Sequence, residues 1–515
     1  MGRSHSTSID VVPFPILHRT RWACAPLLGL VATLGFAPYG HWYLSLLALA
    51  LLLALAARAT PRRALLLGWL YGLAHFLSGI YWVYISTHVY GGAPAWLGAL
   101  LTFALAAYLA LYPALVLGLS ARLGLLHTPA GWLGVPALWV LLELVRGRVV
   151  FAGLPWLSLG EVAIDTPLAR LAPLFGVHGM SAALALAAFA LYRLGVEHDA
   201  RRRVLAAAVL AAPLAALLLP RPSAWTEVDG AAVPVALVQS NIRQDEKWLP
   251  AMRFEALARH WRLTQQAWPA ELVVWPEVAL TQPYHQIKDD FLADLDRQAA
   301  SRGATVLVGI LVFEGEAHYN SLVALGAAQG RYDKRHLVPF GEYFPIPAFL
   351  RPIMDVLETP YSDFAFGAAD QPLLRVDNHA VEASICFEDV FGDEIRRRAR
   401  EAAFLVNVTN DAWFADSSAP HQHLQFSRLR AMENGRWMLR AANTGISALI
   451  DPDGAIVARA RQFEMEVVRG EVEPRRGLTP YQRWGDTPLW LGAAALLLGA
   501  ALWQRRPRPP ALPAA

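Results

Sequence analysis

Apolar segments of membrane-spanning length recur through the first 220 residues of this 515-residue chain, a pattern that suits lipid and not water. They lie near 23–38, 42–58, 64–86, 95–120, 130–149, 168–193 and 204–220, and an eighth lies near 488–503. A helix needs about 20 apolar residues to cross a hydrocarbon core, and the Gly and Pro inside several runs are tolerated there. The chain is 55% hydrophobic and 17% charged, too apolar for an ordinary soluble protein. Its 18 Trp and 15 Tyr suit aromatic belts at a membrane interface. A cleaved signal peptide would account for the basic N-terminal stretch and the run Ala23–Ala37, but not for the segments that follow. A net charge of +3 makes no electrostatic case for nucleic acid.

Arginine placement orients the spans. Arg19 and Arg21 precede the first, and Arg58, Arg62 and Arg63 lie between the second and third. Arg122 lies between the fourth and fifth, Arg201, Arg202 and Arg203 between the sixth and seventh, and Arg505, Arg506 and Arg508 after the eighth. The alternate loops GFAPYGHW and 87–94 carry no Lys or Arg, and Arg146 and Arg148 are the exception. The expected organisation is therefore a membrane domain over 1–220 with seven spans, an extramembrane domain over 221–487, and a closing span with a basic tail over 488–515. Both termini are expected in the cytoplasm and the extramembrane domain on the far side.

From Val233 the pattern becomes globular. Strands are expected over Val233–Ile242, Glu271–Val274, Ala304–Val312, His318–Leu325, Gln329–Asp333, Leu373–Val376, His379–Ile385 and Ala403–Val408, in the 440s and 450s, and near 466–473. Helices are expected over 251–268, 288–302, 392–402 and 421–438. Strands alternating with helices and hairpins indicate a layered α/β domain, its core over about 233–475.

The far side of a membrane is oxidising in most cells, yet this domain holds a single cysteine, Cys386, the chain's other being Cys24. A lone Cys among apolar residues is ordinarily a small buried hydrophobe. In ASICFED, however, an apolar strand ends on the thiol and would present it at the rim of a sheet. Glu277 in VVWPEVAL and Lys334 in YDKRHLVPFGEYFP also follow strands, and such loops are where sites assemble in α/β folds. Singly, Glu277 could cap the next element and Lys334 could be one charge in the patch with Asp333, Arg335 and His336. Together they form a chemical set: a carboxylate to take the thiol proton, a thiol nucleophile, and an ammonium to neutralise an oxyanion.

Residues 233–475 resemble the nitrilase superfamily, whose members perform acyl transfer with Glu, Lys and Cys on an αββα sandwich. Nearly the whole chain resembles the apolipoprotein N-acyltransferases. The resemblance rests on GFAPYGHW, VQSNIRQDEKW, VVWPEVAL, YDKRHLVPFGEYFP, ICFED, VTNDAWF, PHQHLQ and NTGIS. It implies a multi-span α-helical membrane domain carrying a nitrilase-like αββα extramembrane domain. It implies Glu277 as general base, Lys334 as stabiliser of the tetrahedral intermediate and Cys386 as nucleophile, with Glu342 and Glu388 in support. Trp248 and Tyr343 match substrate-pocket positions. Phe387 stands where Tyr is common, so it is expected to pack in the pocket and not to react.

The implied reaction moves a fatty acyl group from a membrane phospholipid, through a Cys thioester, to the α-amine of the diacylglyceryl-modified N-terminal cysteine of an apolipoprotein. No cofactor and no metal are expected, and the protein is expected to be a monomer in the bacterial inner membrane with its catalytic domain periplasmic. The stretch Tyr343–Leu357 is unusually apolar. Phe344, Phe349, Leu350, Ile353 and Met354 there would form a lid over the site or ordinary core packing. His421 and His423 lack a complementary Cys/His set, which favours a structural role over a metal site. Arg396, Arg397, Arg398 and Arg400 read as a solvated helix face, Asn410 and Asp411 as orienting the site or shaping a turn, and Glu143 and Arg146 as a pair one helix turn apart. Two rival readings are a membrane-tethered amidase with water as acceptor and a non-catalytic scaffold or transporter. The apolar spans and the apolar 343–357 stretch count against the first, since a small polar substrate needs neither.

Overall fold

A computed structural model of the chain describes residues 15–149, 153–343 and 363–504. The lid residues Phe344, Phe349, Leu350, Ile353 and Met354 lie outside the described residues. The N-terminal domain is built of helices α1 (Pro15–Thr33), α2 (Trp42–Ala57), α3 (Pro61–Gly79), α4 (Ala95–Leu109), α5 (Leu111–Arg122), α6 (Gly131–Arg146), α7 (Ala172–Val196) and α8 (Ala200–Ala211). Ala95–Arg122 and Pro167–Val196 are each long and apolar enough to cross a membrane, and α3 with Trp82–Tyr90, bent by 52°, adds a third if the pair is one span. Trp22–Thr33, Trp42–Ala57 and Thr487–Leu502 are apolar but shorter. The stretch 204–220 is covered by α8 and a 3-10 segment, Ala212–Leu218, with Arg201, Arg202 and Arg203 in the first turn of α8. Glu143 and Arg146 do not pair with each other. Glu143 accepts from the Trp139 indole and from Leu159 N, each at 2.8 Å, while Arg146 donates to the Ser158 hydroxyl at 3.1 Å.

The second domain is a four-layer sandwich of two six-stranded sheets. Its strands are β1 (Val233–Gln239), β2 (Leu272–Val274), β3 (Thr305–Glu314), β4 (Ala317–Gly326), β5 (Gly330–Asp333), β6 (Leu374–Val376), β7 (His379–Ile385), β8 (Phe404–Thr409), β9 (Met438–Ala442), β10 (Ala448–Ile450), β11 (Ile456–Arg459) and β12 (Glu466–Val472). The sheet orders are β12-β1-β2-β3-β4-β5 and β11-β10-β9-β8-β7-β6. Each has three parallel strands, β1-β2-β3 and β7-β8-β9, flanked by antiparallel ones. The period of two along a strand sets the layers. In β1, Val235 and Leu237 enter the core between the sheets, while Ala236 and Val238 pack under the helices α9 (Met252–Ala267) and α10 (Phe291–Ala300). In β7, Val381, Ala383 and Ile385 face the other sheet.

The second sheet is covered by α11 (Gly392–Arg398) and α12 (Ala419–Asn434). α12 ends at Asn434 because Gly435 turns left-handed, with φ of 59°, and its N–H closes onto the carbonyls of Ala431 and Met432. Of the arginines after Asp393, Arg397 is solvated and bonds only to Asp393 one turn back, while the other three are engaged by the fold. Arg398 reaches inward to Glu382 at 2.7 Å, and Arg396 and Arg400 both donate to the Gln482 carbonyl, fastening the chain ahead of α13 (Thr487–Gln504).

The same helix α12 docks the sandwich onto the membrane domain at two places where a helix of that domain is broken. At the end of α3, Gln422 donates to the Gly79 carbonyl at 3.1 Å and accepts from the indoles of Trp82 and Trp156 at 3.2 and 2.8 Å. About three turns further along the same face, Glu433 accepts from Val177 N at 3.0 Å. That N–H is free because Gly176, with φ of 63°, interrupts α7. Both contacts satisfy backbone groups that a broken helix would leave unpaired in a buried setting. Around them Phe426, Leu429 and Met432 join the apolar cluster of the membrane domain.

Replacing Gln422 by Leu strands two indole N–H groups and one backbone carbonyl, at about 1–3 kcal/mol for each buried group. The expected outcome is a thermal unfolding midpoint in detergent several degrees below wild type, partly restored in Gln422→Glu, which keeps the acceptor oxygens. An unchanged midpoint would count against this joint.

Candidate active site

Glu277, Lys334 and Cys386 leave three different strands and meet between the two sheets. Glu277 follows β2 in a tight turn that crosses Gly309 of β3 so closely that a Cβ there would overlap the Pro276 carbonyl. The next residue, Val278, is held at φ of 43°, rare for a β-branched side chain. Lys334 follows β5 directly, with its N–H on the Asn320 carbonyl at 2.8 Å. Cys386 follows β7 and begins a 3-10 turn, Cys386–Val390, with φ of 53°. A cysteine in the left-handed region is strained, and the surrounding structure must hold it there.

The Lys334 ammonium, only 1% exposed, sits 3.2 Å from Glu277 Oε1 and 2.8 Å from Glu342 Oε1. Asn320 Nδ2 bridges the same two carboxylates at 2.8 and 3.2 Å. Asn410 N donates to Glu277 Oε2 at 2.9 Å, and Val338 N to Glu342 Oε2 at 2.8 Å. Burial disfavours the Glu277 charge, but Lys334 and Asn320 outweigh it and hold the carboxyl below its usual range. Burial likewise disfavours the Lys334 ammonium, and Glu277 and Glu342 hold it charged well above the usual range. For the Cys386 thiol the balance goes the other way. Burial pushes it well above its ordinary range, the Glu277 charge adds to this, and Lys334 and a hydrogen bond from Thr409 only partly oppose it.

Glu388 ties the thiol and the ammonium together. Its Oε2 accepts from Ile385 N at 2.7 Å, its Oε1 from Arg335 N and His336 N at 2.7 and 3.1 Å, and the Tyr332 hydroxyl donates to both oxygens. One buried carboxylate thus fixes the residue before Cys386 and the two residues after Lys334, across the gap between the sheets.

This combination of a helical membrane domain, an αββα sandwich and a buried carboxylate–ammonium–thiol cluster has relatives. Residues 28–190 match the family described as apolipoprotein N-acyltransferase N-terminal domain, and residues 234–481 match carbon-nitrogen hydrolase. The apolipoprotein N-acyltransferase of Methylococcus capsulatus is 42% identical, over 93% of this chain and 95% of its own. That of Azotobacter vinelandii is 43% identical over 94% and 97%, and that of Pseudomonas syringae pv. tomato 40% identical over 94% and 99%. The chain belongs to the apolipoprotein N-acyltransferase family. It is thereby an enzyme of lipoprotein N-acylation, set in a membrane.

In this acyltransferase the motifs that carried no chemistry individually converge on the same place. Asn443 of NTGIS accepts from Ser240 Oγ and Ile242 N, both at 2.9 Å, and donates to Asn410 Oδ1 at 2.9 Å. Asn410 in turn donates to Gln244 at 3.0 Å. Asn410 therefore orients the site through its N–H on Glu277. Lys247 is buried nearby, its ammonium lowered to about 8 by burial and partly upheld by Glu277. Its neighbour Trp248 is 52% exposed and stands apart from the cluster. Tyr343 packs edge-on to Phe366 at 5.1 Å, and Phe387 is half-buried against His336 and Phe391.

Beneath Cys386 lies a second buried charge cluster. His423 holds Asp411 through Nδ1 at 2.8 Å and Asp389 through Nε2 at 3.0 Å, with the Cys386 carbonyl 3.2 Å from Nε2. Arg440 donates to Asp411 at 3.0 Å and to Asp389 at 3.2 Å, and Ser427 donates to Asp389 at 2.6 Å. Burial and Arg440 disfavour the His423 charge, but Asp389 and Asp411 raise it to about 9. Asp411, disfavoured by burial but paired with Arg440 and His423, is lowered to about 2.

The signs follow from linkage. The His423 contribution is complete below its ordinary pKa of 6.5 and is lost as pH rises through about 9. The Asp411 contribution is complete above 3.8 and is lost as pH falls through about 2. Thermal stability in detergent is expected to fall between pH 6.5 and 9 in wild type and to be flatter in His423→Gln. A wild-type profile as flat as the variant's would contradict the assignment.

Proposed function

We propose that the enzyme transfers a fatty acyl group from a membrane phospholipid to the α-amine of a diacylglyceryl-modified N-terminal cysteine, through a thioester on Cys386. The observation that carries this reading is the thiol beside a charged Glu277–Lys334 pair at the rim of the sandwich that faces the membrane domain. Cys386 Sγ attacks the ester carbonyl as Glu277 takes its proton. Because the carboxyl is held low and the thiol high, this transfer is uphill, so the proton has to move as the carbon–sulfur bond forms. Lys334 is placed to neutralise the oxyanion of the tetrahedral intermediate. Collapse breaks the ester carbon–oxygen bond, and Glu277 returns the proton to the departing lysophospholipid alkoxide. The acceptor amine then attacks the thioester, gives a proton to Glu277, and expels Cys386, which regains it.

Two further features support a lipid donor over a small polar amide. Phe387, next to Cys386, and Phe391 against it pack into the apolar cluster of the membrane domain, where both lipid substrates would carry their chains. A thioester also needs neither ATP nor coenzyme A, which suits an extracytoplasmic site. In this reading residues 1–220 and 488–515 anchor the enzyme in the inner membrane with cytoplasmic termini, and 221–487 is periplasmic. Glu342 and Glu388 hold the cluster, and Trp248, Tyr343 and Phe387 line the approach of substrate.

Intact-protein mass spectrometry after incubation with phospholipid is expected to show one added acyl group, released by hydroxylamine, in wild type and none in Cys386→Ala. An adduct that persists in Cys386→Ala would place the nucleophile elsewhere. No adduct on folded wild type, together with hydrolysis of a small amide, would favour the amidase. Lys334→Met is expected to slow adduct formation by about 100-fold or more, the usual cost of one oxyanion donor; stopped-flow or quenched single-turnover rates check this.

A further inference from the structure

The sequence holds three lysines against 42 arginines, and two of the three, Lys247 and Lys334, are buried and act on the Glu277 carboxylate. The third, Lys288, is exposed. A guanidinium keeps its charge when buried, whereas a lysine ammonium can give up its proton. The cations set against Glu277 are thus of the kind whose charge can be withdrawn.

Lys334 is held by two carboxylates, Glu277 and Glu342. Lys247 has no such partner. It ends the short helical turn Gln244–Lys247 and is 3% exposed, yet among the described residues its ammonium makes no hydrogen bond and no ion pair. Its place is fixed through the backbone. Asn443 clamps Ile242, accepting from its N–H at 2.9 Å and donating to its carbonyl at 2.7 Å. One turn before Lys247, Gln244 accepts from Asn410 Nδ2 at 3.0 Å, and the N–H of the same Asn410 donates to Glu277. A buried ammonium without a direct bond carries its desolvation uncompensated, and the longer-range attraction to Glu277 is what offsets it.

Few charged or titratable groups face Lys247. Glu277, at the exit of β2, favours its charge, and Lys334 contacts the same carboxylate through Oε1. From α9, His260 is buried and neutral: burial lowers it to about 4, and its Nδ1 lies 2.8 Å from the Ala256 carbonyl. Arg259 on the same helix is turned to Glu255 and to the carbonyls of Ser240 and Asn241. Burial outweighs Glu277 and lowers the Lys247 ammonium to about 8, so the residue is charged at neutrality and loses its charge in mildly alkaline conditions.

We propose that Lys247 is a positioning residue acting through Glu277: its ammonium helps hold the carboxylate ionised, and withdrawing that charge makes Glu277 the stronger base. This rests on Glu277 as the base assigned under Proposed function. The step affected is the proton transfer from Cys386 Sγ to Glu277, in which negative charge leaves the carboxylate and appears on sulfur. Lys247 acts on the carboxylate, while the cation that acts on the thiol is Lys334. A charged Lys247 therefore opposes the transfer and a neutral one eases it. The later return of the proton to an alkoxide is downhill in either state. Lys334 cannot serve as this control, because its two carboxylates keep it charged.

Two measurements on the full-length enzyme in detergent test this. The first is infrared titration of the Glu277 carboxyl, isolated as the difference from Glu277→Gln. Its midpoint is expected to rise by about half to one pH unit in Lys247→Met and to stay in place in Lys247→Arg, as for the loss or retention of one nearby charge. The second is the pH profile of single-turnover acylation of Cys386 by phospholipid. Wild type is expected to show a rise of about three- to tenfold centred near pH 8, the same coupling read as a rate. Lys247→Met is expected to be fast already at neutrality and Lys247→Arg slow throughout, both without that step. An infrared midpoint unmoved in Lys247→Met would overturn the proposal, as would equal slowing by both variants, the mark of a merely structural ammonium. If Lys247→Met does not fold, the step near pH 8 in wild type and its loss in Lys247→Arg decide the question. No acylation of wild type, with the infrared shift present, would remove the phospholipid donor and leave the Lys247–Glu277 coupling standing.

Discussion

The site depends on a single buried carboxylate. The thiol and the ammonium belong to different sheets, Lys334 leaving an edge strand of one and Cys386 the penultimate strand of the other. The shared apolar core holds the sheets face to face, and the two segments also need a direct polar tie across the gap. Glu388 provides it through three backbone N–H groups and the Tyr332 hydroxyl. Burial raises its carboxyl, and these donors oppose the shift, so the tie is strongest with Glu388 ionised. The left-handed Cys386 is then held from above by Glu388 on Ile385 N and from below by His423 near its own carbonyl.

α12 links this geometry to the membrane. One side, through Gln422 and Glu433, satisfies the broken ends of two helices of the membrane domain. The residue after Gln422 is His423, which turns the other way onto Asp389 and Asp411 beneath the nucleophile. Movement of the sandwich relative to the membrane helices therefore acts on the same helix that supports Cys386. In the proposed reaction this arrangement keeps the thiol at a fixed depth relative to the acyl chains that bring the substrates to it.

Much of this was legible from the residues. Cys386 and Glu277 each follow an apolar strand, and Lys334 follows the short second strand of a hairpin, all of them elements that local sequence locates without tertiary information. The supporting residues were not legible in the same way. Asn320 is one polar residue in the middle of a hairpin strand, and Arg440, in the centre of β9, would read as a solvent-facing position. Both matter only because distant segments bring carboxylates to them. α12 is buried on nearly every side, so its sequence shows no apolar stripe, and the pairing of His423 with two aspartates across the fold leaves no local trace. Arg396, Arg398 and Arg400 look solvated in sequence because their acceptors, Glu382 and the Gln482 carbonyl, come from elsewhere in the chain. The Leu/Ala-rich segments announce helices of the membrane domain but conceal where they break. Gly176 resembles any other glycine in such a helix until Glu433 is seen to fill the gap it opens.

In the proposed reaction Cys386 rests as a neutral thiol beside an ionised Glu277 and an ionised Lys334, and is activated only as it attacks. The most direct test is the pH dependence of Cys386 alkylation by iodoacetamide, followed by mass in a Cys24→Ser background so that one thiol remains. Burial and the Glu277 charge predict a rate that is low near neutrality and still rising above pH 9, with the rise shifted to lower pH in Glu277→Gln. A rate that levels off below pH 7 in the parent enzyme would mean a resting thiolate. It would contradict the account in which Glu277 takes the proton during attack.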